Sequence, residues 1–294
     1  MDLPYLRAHP EHLPTFLTHQ RIRETPVGGG SVSAASRLTL DDGTSIFAKT
    51  WLEGSTAPYG FFTAEAAGLD WLRSAGAIGV PEVLVALPSM IAMEWIEPGS
   101  PSRAAAVRFG RELAALHRSG ADSFGAQWPG FIGPLPLDNT PTAGSWGPWF
   151  AERRLLPYLK ISADSGALTA TDVAVVDGIL KTLSAYAVSE PPSRTHGDLW
   201  PGNVLWAADD RAWLVDPAAQ GGHRETDLAE LALFGGVPHL DAVLGAYHDA
   251  YPLADGWRER VPLHQLHLLL VHTAAFGGSY RGAVMTAARA AFAA

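Results

Sequence analysis

The clearest alternation of apolar and polar positions lies near the N-terminus. Ser31 to Leu40 and Ser45 to Trp51 both alternate, and Asp41-Asp42-Gly43 between them predicts a β-hairpin. The period then changes. Phe62, Ala66, Leu69 and Leu72 fall on one helical face of a proline-free stretch, Phe62 to Arg73. Gly76 and Gly79 close that helix, Pro81 to Val85 opens an extended segment, and Met90 to Ile96 is a short apolar run between Pro88 and Pro98-Gly99. Such a run fits a buried strand followed by a chain reversal. Beyond it the helical period dominates. Arg103 to His117 carries Val107, Phe109, Leu113 and Leu116 on a helical pattern, Asp172 to Tyr186 is similar, and the chain from Glu225 onward is largely helical. Gly125 to Pro148 sets Trp128, Phe131 and Trp146 among glycines and prolines, and reads as an ordered aromatic excursion. A β-rich N-terminal lobe (1–96) therefore precedes a larger, mostly helical C-terminal lobe (97–294), an α+β, bilobal layout.

Composition supports a folded chain and narrows its partners. Of 294 residues, 47% are hydrophobic and 17% charged, enough core-formers to rule out a disordered protein. The net charge of −9 argues against a nucleic-acid partner. An anionic ligand would need a local positive site made from a few cations, backbone amides and a metal. The absence of cysteine removes disulfides, cysteine-bearing zinc sites and thiol nucleophiles. Met1 to Glu24 shows no apolar run of signal-peptide type. The apolar stretches near the C-terminus are broken by His267, His272 and Arg281. None approaches the ~18 residues of a membrane span. A soluble, cytoplasmic protein with no membrane partner is expected, with a monomer favoured and a dimer left open.

The candidate chemistry sits in His196-Gly197-Asp198-Leu199-Trp200-Pro201-Gly202-Asn203. Asn203 follows Asp198 by five residues, and Asp216 follows Asn203 by thirteen. A carboxylate and a carboxamide on one tight loop, then a second carboxylate after a short hairpin (Val204 to Val215), can converge on one Mg²⁺-nucleotide. The protein-kinase signature uses the same Asp-x-x-x-x-Asn loop with a later metal-binding Asp. Asp198 then suits the proton of an attacking hydroxyl. Asn203 offers a neutral oxygen to a hard ion, and Asp216 brings full charge to it. Gly197 and Gly202 equally allow a plain turn for either residue taken singly.

The run Thr195 to Leu205, with Val215-Asp216-Pro217-Ala218 and Gly222 to Ala229, resembles the fructosamine kinase (ketosamine 3-kinase) family. Glu65 to Leu69, Phe131-Ile132-Gly133, Glu152 to Leu155 and Phe276 to Tyr280 extend the resemblance over most of the chain. Leu199-Trp200 and His223-Arg224-Glu225 carry its specificity, since the catalytic loop alone marks only the wider aminoglycoside phosphotransferase-like group. The resemblance implies a protein-kinase-like fold, ATP and Mg²⁺ as cofactors, and a ketoamine or amino-sugar acceptor. It makes Lys49 the cation for the phosphates, held by Glu65, and Gly28-Gly29-Gly30-Ser31 the phosphate-covering loop, although Ser33 replaces a third glycine and no Walker Gly-Lys-Ser/Thr is present. Met93-Glu94-Trp95-Ile96 becomes the adenine-reading connector. Asp227 and His196 take support roles, and Trp200, His223, Arg224 and Trp146 are candidates for the sugar site, with Arg224 equally able to form a structural pair with Glu225 or Asp227.

Three alternatives stay open at this level. The same fold can phosphorylate an aminoglycoside, an amino sugar or a choline-like amino alcohol, because acceptor choice lies outside the catalytic loop. A silent nucleotide-binding pseudokinase is the second, against which stand Lys49, Glu65, Asp198, Asn203 and Asp216, all present. The third, a purely structural helical module, leaves the polar loop unexplained. His264, His267 and His272 share a helical spacing compatible with a metal but also with simple packing.

Overall fold

The computed structural model describes residues 1–19, 22–28, 33–51, 57–186 and 190–293. Five strands form one antiparallel sheet: β1 (Arg23–Val27), β2 (Ser33–Thr39), β3 (Ser45–Trp51), β4 (Val83–Leu87) and β5 (Met90–Glu94), in the order β1-β2-β3-β5-β4. The β2–β3 hairpin turns at Asp41-Asp42-Gly43, where Gly43 takes a φ of 84° that a residue with a Cβ resists. Strand periodicity then decides what each face meets. Leu38, Ile46, Met90 and Ala92 point one way and are sealed by Leu6 of α1 (Leu3–Ala8) and by Leu13 of α2 (Leu13–Thr18). Ile91, Met93 and Phe47 point the other way, onto Phe62, Ala66, Leu69 and Leu72 of α3 (Phe61–Ser74). Lys49 shares the face of Phe47, and Glu65 lies between Phe62 and Leu69 on the inner side of α3. The two charges are therefore forced together inside.

The C-terminal part is helical. α4 (Arg103–Arg118) starts at Ser102, whose hydroxyl accepts the Ala105 N–H at 3.0 Å. A hairpin of β6 (Gly130–Ile132) and β7 (Leu135–Leu137) follows, then α5 (Trp146–Phe150), a π-helical turn Ala151–Leu155, α6 (Leu156–Asp164) and α7 (Ala170–Tyr186). β8 (Ser193–Thr195), β9 (Val204–Trp206), β10 (Ala212–Leu214) and β11 (Gln220–Gly222) form two small antiparallel pairs, β8 with β11 and β9 with β10. α8 (Arg224–Glu230), α9 (Leu240–Ala250), α10 (Trp257–Phe276) and α11 (Arg281–Ala293) complete the chain. α4 lies tight against α9, because a Cβ on Gly110 would stand 2.2 Å from the Val243 carbonyl. The aromatic excursion is ordered: Gly125 and Gly221 exchange backbone hydrogen bonds of 2.9 and 2.8 Å, fastening it to β11.

One apolar core crosses between the two parts, joining α3 and β5 to α4, β9, β10 and α9. The Leu214 N–H donates to Gly79 O at 2.9 Å, and the Gly99 N–H to Trp206 O at 2.8 Å, along the same seam. Among the described residues no helix is long and apolar enough to cross a membrane.

Candidate active site

The loop after β8 is held from behind. The Asp227 carboxylate accepts the His196 N–H at 2.7 Å and the Gly197 N–H at 2.9 Å, while Glu230 accepts the Leu199 N–H at 2.8 Å. His117 bridges Asp227 (3.1 Å) and the Tyr247 hydroxyl (2.8 Å). Burial outweighs the pull of Asp227 and keeps the His196 imidazole neutral; its Nε2 donates to Val215 O at 2.9 Å, tying the loop to the strand before Asp216. Gly197 takes φ 79°, and a Cβ there would stand 2.3 Å from Ala218 O. These contacts satisfy the loop's backbone donors from helix α8, bury His196 and Leu199, and leave Asp198, Trp200 and Asn203 facing the cavity.

Those side chains converge. The Asn203 Nδ2 donates to Asp198 O (2.8 Å), to Asp198 Oδ2 (3.1 Å) and more loosely to Asp216 O (3.4 Å), and no described hydrogen bond takes its Oδ1. Asp216 sits at φ 55°, a left-handed conformation costly for a residue with a Cβ. Its Oδ1 accepts from Lys49 Nζ at 2.8 Å, and Lys49 also donates to both Glu65 oxygens at 2.8 and 2.9 Å. Burial works against the Lys49 ammonium, but the charges of Asp216 and Glu65 more than offset it and hold its pKa above the usual lysine range. Asp198 is the opposite case. Its Oδ1 is shielded and has no partner among the described residues, and burial together with the Asp216 charge raises its carboxyl well above the ordinary aspartate range.

A cavity of about 420 Å³ opens over this cluster. Lys49, Glu65, Asp198, Asn203 and Asp216 line one end; Phe61, Trp128, Phe131, Trp200 and Phe276 line the walls, with Asn139 and His272 among them. Phe61 of α3 meets Phe131 of β6 at 5.3 Å between ring centroids, so both parts of the molecule build the wall. The Trp200 ring lies over Gly202, where a Cβ would stand 2.1 Å from it. The donors offered to a metal, a carboxylate half exposed at Asp216 and the Asn203 carbonyl, are all oxygen, which fits Mg²⁺.

Other residues singled out from the sequence are placed elsewhere. Gly29, Gly30 and Ser31 lie outside the described residues, and Gly28 is a bend after β1. Met93 and Ile96 are buried, Glu94 is exposed, and Trp95 stacks under Arg37 at 4.6 Å; none of these four lines the cavity. The structure does not bring Trp146, His223 or Arg224 to the cavity either, and the reason is pairing. Arg224 gives its planar fork to Glu190 at 2.6 and 2.7 Å, Trp146 stacks on His264 at 4.7 Å, and His223 caps α8 by accepting the Glu225 N–H at 3.2 Å. His223, Glu225 and His264 have metal-like spacing, but both Glu225 oxygens are taken by Arg260 at 2.7 and 2.8 Å. The sequence reading missed Phe61, Asn139 and Glu230. Phe61 lies one residue before a helix that was recognised, whereas Asn139 carried no local signal.

This arrangement defines a class. The fold superposes on the aminoglycoside phosphotransferase APH(4)-Ia, solved in ternary complex with ADP and hygromycin B, with a TM-score of 0.64 at 15% identity, covering 96% of this chain and 97% of that one. It is a protein-kinase-like phosphotransferase fold. The fructosamine kinase family model matches residues 11–292. A probable ketoamine kinase of Synechocystis sp. strain PCC 6803 is 34% identical over 268 residues, covering 89% of this chain and 88% of that protein. A crystal structure from Thermobifida fusca assigned to the fructosamine-3-kinases is 50% identical with a TM-score of 0.88, covering 93% of this chain and 94% of that one. The chain belongs to the fructosamine kinase family, and is thus an ATP-dependent phosphotransferase acting on a hydroxyl group.

Proposed function

We propose that the protein transfers the γ-phosphoryl group of ATP to a sugar hydroxyl of a ketoamine, the 3-hydroxyl of a fructosamine or ribulosamine. The carrying observation is the unpartnered, shielded Asp198 Oδ1 at the head of an aromatic-walled cavity. A related protein named a ketoamine kinase and a structural neighbour named for the fructosamine 3-position support this acceptor.

Each residue then has a task. Asp198 accepts or orients the proton of the attacking hydroxyl; its raised pKa makes it a stronger base than a solvated aspartate. Lys49, fixed by Glu65, holds the phosphates. Asn203 Oδ1 and Asp216 hold Mg²⁺, which when bound offsets charge on the transferring phosphoryl group. Residues 1–96 form the nucleotide lobe, with Gly28–Ser31 covering the phosphates and Met93–Ile96 reading adenine, and residues 97–294 supply catalysis and the acceptor site. Trp200 offers a ring face to the cationic amine of the acceptor. We take it to act as a monomer in the cytoplasm.

The test is a phosphorylation screen with Mg²⁺-ATP over ketoamines, aminoglycosides and amino alcohols, read by product mass. ATP should be consumed, and a mass of one phosphate added, with a fructose–lysine or ribulose–lysine adduct. Turnover only on aminoglycosides or amino alcohols refutes the acceptor and keeps the kinase.

A further inference from the structure

Arg154 is fully buried, and among the described residues no carboxylate lies within ion-pair distance of it. It stands on the π-helical turn between α5 and α6, a local irregularity that turns it inward beside the buried Leu155. Burial lowers its pKa to about 9, which leaves it charged at neutral pH. A buried cation without an anion is an expensive way to fill a core, and an apolar side chain of similar size would hold these helices at least as well. Its hydrogen bonds show what it achieves. Nη1 donates to Asp138 O at 2.7 Å and to Arg153 O at 2.9 Å. Nη2 donates to the side-chain oxygens of Asn139, at 3.0 Å, and of Gln220. The guanidinium plane rests on the Trp149 ring at 4.4 Å.

A guanidinium carries donors only, so each amide must turn its oxygen toward Arg154 and its NH₂ away. For Gln220 the NH₂ goes toward the catalytic loop, where a Cβ on Gly197 would stand 3.1 Å from Nε2. For Asn139 no acceptor among the described residues takes Nδ2, yet Asn139 lines the cavity that Asp198 heads. The Asn139 amide packs over Gly130, where a Cβ would stand 2.7 Å from its Cγ and 2.8 Å from Nδ2, so Arg154 holds its direction against a surface that only glycine leaves open. The result is a fixed, donor-only point on an otherwise aromatic wall.

We propose that Asn139 Nδ2 is a specificity donor for an oxygen of the acceptor, a hydroxyl or the ketone, and that Arg154 is the positioning residue that fixes its direction. This rests on the ketoamine reading above and adds an orientation to it. The polyol end of the acceptor is recognised at Asn139, and its cationic amine is excluded from that point and lies toward Trp200 and the carboxylates.

The isosteric Asn139→Asp variant tests this, because the new carboxylate still satisfies Arg154 but has no NH₂ to give. Its acceptor KM should rise about tenfold or more, with kcat within about threefold, ATP KM unchanged and melting temperature not lowered. Arg154→Met, which frees the amide to rotate, should show a smaller rise in acceptor KM; if it does not fold, the Asn139→Asp result decides alone. A panel of monodeoxy ketoamines supplies the second arm. In the wild type, removing one particular hydroxyl should raise KM, and in Asn139→Asp the same removal should cost nothing further. An Asn139→Asp enzyme with acceptor KM within about twofold of wild type and an unchanged deoxy profile overturns the proposal, as does an equal rise in ATP KM. If the wild type turns over only amino alcohols or aminoglycosides, the ketoamine reading falls, and the same KM comparison on that acceptor still decides the role of Asn139.

Discussion

Two charged regions, both largely buried and a few residues apart in sequence, follow opposite rules. Around α8 the carboxylates are matched except Glu230, whose second oxygen is shielded and has no partner among the described residues. Asp227 takes two backbone N–H groups and His117, Glu225 takes the Arg260 fork, and Glu190 takes the Arg224 fork. At the cavity, Asp198 keeps one oxygen without a partner, Asp216 is held in a left-handed conformation, and one lysine serves two carboxylates. The first region satisfies its charges and so contributes to folding. The second leaves charge and strain in place together at one cavity, a combination that clusters at sites where a ligand or a reaction uses them.

The contrast is breakable at three points. Asp198→Ala should have the largest effect, a loss of about 10²–10⁴-fold in kcat with ATP binding retained and little loss of melting temperature, since the carboxylate it removes holds only the 3.1 Å bond from Asn203 to Oδ2 and none to Oδ1 among the described residues. Single-turnover kinetics and calorimetry on one sample check both halves. A melting temperature lowered as far as that of an Asp227 variant would show that Asp198 belongs to the structural group. Asp227→Ala, by contrast, orphans two buried N–H groups and His117, and should cost roughly 3–5 kcal/mol of stability. Urea unfolding measures it, and an unfolding midpoint equal to wild type would break the comparison from the other side.

Glu225 gives the smallest and most conditional effect. Burial raises its carboxyl, but the two Arg260 hydrogen bonds and the nearby His264 more than offset this and hold it at about 2, below the reference 4.5. A depressed carboxyl stabilises the fold fully above the reference value, and that contribution is lost as pH falls toward 2. Wild type should therefore lose more urea resistance than Glu225→Gln between about pH 5 and about pH 3. Parallel losses in the two proteins would mean that the Arg260 pairing contributes no folding energy.

The same contrast explains what could be read from the chain alone. The β2–β3 hairpin, α3 and α4 were legible because each repeats its apolar positions over several periods. α1 and α2 are six residues each with proline in the first turn, and β1 is exposed at nearly every position, so none of the three offers a period to read. Asp198, Asn203 and Asp216 were legible because one short loop and hairpin bring them together locally. Arg224 was not, because its partner Glu190 lies 34 residues away and only the tertiary fold makes the pair. Asn139 gave no signal, and Arg154 was matched only within Glu152 to Leu155 without a role, because a π turn breaks the helical period at the arginine that gives the amide its direction.

The apolar core that runs from α3 and β5 into α4, β9, β10 and α9 has a consequence for cooperativity. Residues beyond 97 share the core that packs on the N-terminal sheet's inner face, and the Gly79–Leu214 hydrogen bond stitches the seam. The cavity is lined from both parts of the molecule, yet the part that melts is the whole. Heat or denaturant should meet one transition, with the two sides of the cleft rising and failing together.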